Sequence, residues 1–138
     1  MKYLFILFFI YGCKITHNHS DTTYNAKIYH VSYTHRFPAN LASSKVFQVA
    51  DKKLDVSGDT AKAIHYKYSQ FNFLPSSKTE LKDTLFDFRT AVIIYENKLA
   101  LDTLYFGKKK FIVNKDKRLT NDRDFENYIL ELVKERYF

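Results

Sequence analysis

The chain has 138 residues and carries 22 Lys and Arg against 15 Asp and Glu, so its formal net charge is +7. This length suits one domain and excludes a multidomain enzyme. The single cysteine excludes an internal disulfide framework and any multi-cysteine zinc or iron–sulfur site. Only three glycines are present, which leaves little material for a phosphate-binding loop.

The first thirteen residues have the pattern of an export signal. Lys2 precedes an apolar run of nine residues, 3–11, and the small residue Gly12 then precedes Cys13. A membrane-spanning helix needs roughly 20 apolar residues, so this run is too short to remain as a spanning anchor. The pattern predicts that residues 1–12 are a cleaved signal peptide.

The arrangement of Ile10, Gly12 and Cys13 resembles the lipobox of bacterial lipoproteins, in which the signal is cut before a cysteine that carries the lipid. A plain secretory signal is the alternative. The resemblance implies a mature chain that starts at Cys13 and is held at a membrane by its lipid. Because Lys14 follows the cysteine and the first acid is Asp21, it also implies an outer-membrane protein that faces the periplasm.

Residues 13–24 contain few apolar side chains, so we expect them to form a tether. The series Cys13, His17, His19 and Asp21 superficially resembles a metal-binding cluster. A lipidated cysteine is a thioether and offers no thiolate, and ligands on a flexible tether are not preorganised. We therefore interpret the segment as a polar linker and predict no metal site.

The remainder, residues 25–138, is expected to form a single α+β domain. A first strand is predicted at 26–33, where aromatic and β-branched residues alternate. The pattern leaves residues 43–72 open between helix and strand. Within them, a helix near 59–72 with Asp59 as its N-cap is the preferred reading, because a carboxylate there can accept the first backbone amides.

The second half of the domain has clearer patterns. A strand at 86–95 turns at 96–98 into a hairpin partner at 99–106, and a third strand follows at 110–114. An amphipathic helix is predicted to start at 120–124, where acidic residues and a capping residue occur. Its apolar residues have the spacing of one helical face and are Phe125, Tyr128, Ile129, Leu132 and Val133.

In that helix, Lys134 and Arg136 are expected in the last turn, where the helix dipole favours cations. The whole pattern predicts an antiparallel sheet of about four strands with a C-terminal amphipathic helix and a second helix. This order, with Tyr-Glu-Asn-Lys at a turn and Asp-Thr-Leu-Tyr-Phe-Gly on a strand, resembles small uncharacterised lipoproteins of the Bacteroidota. The resemblance carries no implication of a chemical activity.

No catalytic constellation is evident, because the chain has no Gly-x-Ser-x-Gly sequence and its one cysteine is assigned to the lipid. We therefore predict no catalytic residue and no cofactor. Three acids surround Gly58 but miss the calcium-loop spacing, so a turn is the better reading; they are Asp51, Asp55 and Asp59. The body histidines read as surface or core-edge residues, namely His30, His35 and His65.

Three charged residues, Asp87, Arg89 and Asp102, interrupt apolar strands, and we expect them to pair across the hairpin. The strongest charged feature is a basic patch that flanks the third strand and comprises Lys108, Lys109, Lys110, Lys115, Lys117 and Arg118. It suits anionic lipid headgroups or an acidic envelope protein, and it equally suits a solvated sheet edge that resists aggregation. The export signal argues against a nucleic-acid partner.

These patterns favour a lipid-anchored cell-envelope protein that acts as a small, non-enzymatic binding or accessory module. A second hypothesis is an envelope inhibitor or immunity protein that blocks a secreted toxin or hydrolase. A third is a small hydrolase that acts on envelope material.

Overall fold

The computed structural model describes residues 21–74, 86–109 and 111–134. These residues form an α+β domain with one six-stranded sheet and three helices. In chain order the elements are β1 (Tyr24–His30), α1 (Ser43–Val49), β2 (Lys52–Ser57), α2 (Gly58–Ser69), β3 (Phe88–Glu96), β4 (Leu99–Gly107), β5 (Ile112–Asn114), β6 (Leu119–Thr120) and α3 (Arg123–Leu132).

The sheet has the order β2-β1-β3-β4-β5-β6, and each neighbouring pair is antiparallel. The α+β class and the C-terminal helix are therefore confirmed, while the strand count is six instead of about four. The two unforeseen strands are both weak in pattern. Strand β2 lies at a sheet edge with Val56 as its one buried residue, and β6 has only two residues.

Helices pack on both faces of the sheet, but they cover one face more completely than the other. One face packs against α2 and α3 around a core that includes Ile28, Val92 and Leu104. The other face packs against α1 through Val46, beneath which Ala91 is fully buried. Because α1 has only seven residues, it covers one end of this second face and leaves the other end open.

The two ends of the sheet differ. We call the end at which the described chain begins the tether end, because the predicted tether precedes it in sequence, and we call the other the loop end. At the tether end, strand β1 begins and the β3–β4 turn lies beside it: Asn97 Oδ1 accepts from the Thr23 backbone N–H at 3.0 Å, and Asn97 N–H donates to the Thr23 carbonyl at 2.8 Å. At the loop end lie residues 31–42, helix α1 and the β4–β5 loop. The described part of the chain thus starts at the tether end.

Helix α2 confirms the helix predicted near 59–72 and begins at Gly58, but the predicted cap is wrong. Ser57 occupies the N-cap position without a side-chain hydrogen bond. Asp59 lies one residue inside the helix, where it is exposed and its carboxylate is 3.8 Å from Lys62 Nζ. Gly58 explains the shift, because its φ of +63° makes the turn from β2 into the helix.

Helix α3 starts as predicted. Its N-cap, Asp122, accepts a hydrogen bond from the Phe125 backbone N–H at 2.8 Å, and Phe125 and Ile129 are fully buried. The expected basic last turn is wrong, because the helix ends at Leu132 and Lys134 lies beyond it; Arg136 lies outside the described residues. No helix in the described part is both long and apolar enough to cross a membrane.

Candidate binding surface

The predicted basic patch is divided by strand β5. Lys108 and Lys109 follow β4 at the loop end, whereas Lys115 to Arg118 follow β5, which runs back toward the tether end. Lys110 lies outside the described residues. The five described cations of the patch therefore do not form one continuous surface on the folded domain.

The half that follows β5 is tied into a turn. Lys115 Nζ donates to the Leu101 carbonyl at 2.8 Å, and the Arg118 guanidinium reaches the Phe73 carbonyl at 3.4 Å. The Arg118 backbone N–H also donates to Asn114 Oδ1 at 2.9 Å. These cations are held by contacts within the fold, so they stabilise the β5–β6 hairpin.

Asp102 is the buried acceptor beneath this hairpin. Its carboxylate accepts from the Tyr68 hydroxyl at 3.1 Å, from Asn114 Nδ2 at 3.4 Å and from the Lys115 backbone N–H at 3.3 Å. Burial, followed by the negative charge of Asp102, raises the pKa of Tyr68 to about 12. Tyr68 therefore stays a hydrogen-bond donor over the whole physiological range, which suits a structural tie between α2 and the sheet.

The expected pairing of Asp102 with the other two strand charges is wrong. Asp102 lies opposite Ile94 in the β3–β4 register, near the tether end, whereas Asp87 and Arg89 lie at the loop end. These two do form an ion pair, but within one segment: Arg89 Nη2 is 2.9 Å from Asp87 Oδ2. A hairpin pattern in the sequence did not specify the register that separates the three.

The Asp87–Arg89 pair connects the loop end. Arg89 is 1% exposed and donates to the His35 carbonyl at 2.9 Å, while Asp87 Oδ1 accepts from the Leu41 backbone N–H at 3.1 Å. Lys108 Nζ is 3.2 Å from the other oxygen of Asp87. Burial alone would raise the pKa of Asp87, but the hydrogen bonds from Arg89, Leu41 and Lys108 outweigh it and lower the pKa.

The loop end carries a marked excess of positive charge. Asp51 is exposed and accepts a hydrogen bond from the Ser32 backbone N–H at 3.0 Å, and Asp87 is half-buried in the contacts above. These two carboxylates offset only part of the positive charge. The described cations of the same end, which we call the loop-end cations, are Arg36, Lys45, Lys52, Lys53, Lys108 and Lys109.

The sequence does not predict that most of the loop-end cations share one surface, because they come from four separate segments. Arg36 follows β1, Lys45 is on α1, Lys52 and Lys53 begin β2, and Lys109 follows β4. Only the antiparallel order of these strands brings the segments to one end of the sheet. The run that includes Lys108 and Lys109 is visible in the sequence, whereas the rest of the surface depends on the topology.

The start of α3 borders this surface and adds both signs of charge. Asp122 is turned inward as the helix cap, and Arg123 and Asp124 are exposed. These side chains leave the loop end with a net positive charge among the described residues.

A second candidate surface is the uncovered part of the sheet at the tether end. A groove of about 390 Å³ lies there, lined among others by Asn25, Lys27, Tyr95 and Lys98. Lys27 Nζ lies 3.9 Å from Asp55 Oδ1 across the strands. The groove is shallow and mixed in charge, so its lining does not select one class of ligand.

The residues weighed as metal ligands are separated. Asp51, Asp55 and Asp59 contact Ser32, Lys27 and Lys62 respectively. Asp55 lies within β2 and Asp59 within α2, so the expected turn is confined to Gly58 between them. No group of three or more His, Cys, Asp or Glu side chains within the described ranges is arranged to hold a metal ion. Cys13, His17 and His19 lie outside those ranges.

The three body histidines have different environments. His30 is fully buried, and its Nδ1 hydrogen-bonds with Thr90 Oγ1 at 2.8 Å. His65 packs against the Tyr24 ring at 4.2 Å between centroids, and His35 is exposed. The reading as surface or core-edge residues therefore agrees with His35 and His65 and is wrong for His30, which lies inside the domain.

No protein-family model matches this chain, and neither a curated protein nor a solved structure shows significant similarity to it.

Proposed function

We propose that the protein is a lipid-anchored component of the cell envelope, held in the outer membrane through Cys13 and facing the periplasm. Its single domain acts as a non-enzymatic binding module. The loop-end cations form its binding surface for an anionic partner.

The observation that carries this proposal is the charge arrangement of the loop end. Six described cations lie there against the two acids Asp51 and Asp87, and Arg36, Lys45 and Lys109 are among the exposed ones. A surface with one sign of charge raises the rate of encounter with partners of the opposite sign. The strongest polar networks of the domain, around Asp87 and Asp102, hold loops and strands together, which suits a binding scaffold.

The anchor supports the same proposal from the sequence. Lys2, a nine-residue apolar run and Cys13 have the order of a lipoprotein signal. A single acyl chain binds membranes only marginally, and stable anchoring needs two or more chains, as a lipoprotein cysteine carries. The lipid fixes the location, and the domain supplies the binding.

Replacing Cys13 with Ala tests the anchor. We expect Cys13→Ala to abolish incorporation of an alkyne-tagged palmitate and to move the protein from the membrane fraction to the soluble fraction, because the lipid attachment point is lost. Cys13→Ser keeps the size of the side chain but has no thiol, so it should also lose palmitate labelling and leave the membrane fraction. Unchanged palmitate labelling of either variant would contradict the proposal.

A further inference from the structure

We propose that the loop end binds an anionic polymer of the cell wall, beyond the membrane in which the protein is anchored, and that carboxylate-bearing peptidoglycan is that polymer. The inference rests on the proposed function, since it assumes the lipid at Cys13. It adds the class of partner and the direction in which the surface points.

The tether end and the loop end lie at opposite ends of the sheet. The described chain begins beside the β3–β4 turn, where Thr23 and Asn97 are joined by two hydrogen bonds. The loop end lies at the opposite end of strands β3 and β4, which have nine residues each. At about 3.3 Å per residue, these strands separate the two ends by roughly 30 Å.

The predicted tether is short compared with the domain. Eight residues lead from Cys13 to Asp21, and a chain of that length spans at most about 28 Å. A tether of this reach can turn the loop end straight toward the anchoring bilayer only when it is almost fully extended. Because the bilayer excludes the domain from its own side, orientations in which the loop end lies farther from the headgroups than the tether end are favoured.

The composition of the loop end indicates the kind of partner. Five of the six loop-end cations in the described part are lysines, and the six lie on helix α1 and at the ends of β2, β1 and β4, which span four adjacent positions of the sheet. Strands are about 4.8 Å apart, so the surface is roughly 15–20 Å wide. Protein–protein interfaces are depleted in lysine and enriched in aromatic residues and arginine. Dispersed lysines instead suit a polymer whose charges repeat, which several separate contacts bind together.

Sedimentation with purified peptidoglycan sacculi tests the inference. The full-length lipidated protein, in neutral detergent, is incubated with sacculi at low salt and at 0.5 M salt. We expect it to pellet with sacculi at low salt and to remain in solution at high salt. The double variant Lys45→Glu/Lys109→Glu is expected to lose at least tenfold in affinity. It removes two exposed lysines and leaves the Asp87–Lys108 contact in place.

The matched control is Lys62→Glu/Lys98→Glu, which makes the same change in net charge at the tether end and should bind sacculi as the unaltered protein does. Equal losses in the two variants would overturn the inference, because net charge alone would then explain binding. Binding to phosphatidylglycerol vesicles without binding to sacculi would also overturn it and would assign the surface to lipid. If the unaltered protein is labelled with palmitate at Cys13 but does not pellet with sacculi, the cell-wall partner is rejected and the proposed anchor is unaffected.

Discussion

At the scale of single residues, a buried ion pair between Asp87 and Arg89 connects the segments of the loop end. Arg89 is almost fully buried and donates to Asp87 through two of its nitrogens, at 2.9 and 3.1 Å. Its remaining donors hold the carbonyls of Ser32 and His35, and its guanidinium lies 5.0 Å from the Phe37 ring. Asp87 thus neutralises the cation that holds the loop end together.

Replacing Asp87 with Asn should therefore destabilise the domain. We expect Asp87→Asn to lower the free energy of unfolding by about 3 kcal/mol at pH 7, since it leaves a buried guanidinium without its counter-charge. Urea denaturation followed by circular dichroism measures the change. The control Asp55→Asn removes an exposed pair with Lys27 and should cost less than about 0.5 kcal/mol. Equal effects of the two variants would contradict the account.

The loss of stability caused by Asp87→Asn should depend on pH. The pKa of Asp87 is lower in the folded protein than its ordinary value of 3.8. Its contribution to stability is therefore complete well above pH 3.8 and is lost as the pH falls through the folded-state pKa. The difference in unfolding free energy between the unaltered protein and Asp87→Asn should shrink between pH 5 and pH 2. A constant difference over that range would be inconsistent with this assignment.

The sequence marks Asp87, Arg89 and Asp102 as charges within apolar strands but does not specify their partners. The first two are close in sequence, so their pairing needs no register. Asp102 depends on the β3–β4 register, in which irregularities near Arg89 and near Leu101 set which residues face each other. Bulges leave no reliable signal in one sequence, and this limits any prediction of cross-strand pairs.

At the scale of elements, periodicity predicted the long segments and failed on the short ones. Helix α3 and the β3–β4 hairpin repeat their pattern over several turns or residue pairs, so their class was clear. The segment from 43 to 57 holds a seven-residue helix followed directly by a six-residue edge strand. Each is too short to show its own period, and together they give the mixed signal that left residues 43–72 open.

Gly107, at the end of β4, and Gly58, at the start of α2, differ in the space around them, and this difference can be tested. A Cβ at Gly107 would overlap the carbonyl oxygen of Asp87, whereas a Cβ at Gly58 has no atom within 4 Å. We expect Gly107→Ala to lower the free energy of unfolding by about 2–3 kcal/mol, since the backbone of the Asp87 segment must move. Gly58→Ala should cost about 1 kcal/mol, because only its positive φ is unfavourable. Thermal unfolding measures both variants. A larger loss of stability for Gly58→Ala than for Gly107→Ala would contradict this prediction and show that the end of β4 is loosely packed.

At the scale of the whole molecule, the two ends of the sheet have different roles in the proposed function. The chain enters at one end, beside Asn97, and the loop-end cations lie at the other. This polarity was not predictable from composition, since the net charge of +7 says nothing about its distribution. The predicted basic patch contributed Lys108 and Lys109 to the surface, and the topology supplied Arg36, Lys45, Lys52 and Lys53.

The central claim, an anchored end and an opposite binding end, is tested most directly by photo-crosslinking in living cells. A photo-reactive amino acid is placed in the full-length protein either at Leu99, which is 72% exposed at the tether end, or at the exposed Arg36 of the loop end. The account predicts phospholipid adducts from position 99 and cell-wall adducts from position 36. Phospholipid adducts from both positions, or cell-wall adducts from position 99 alone, would contradict it.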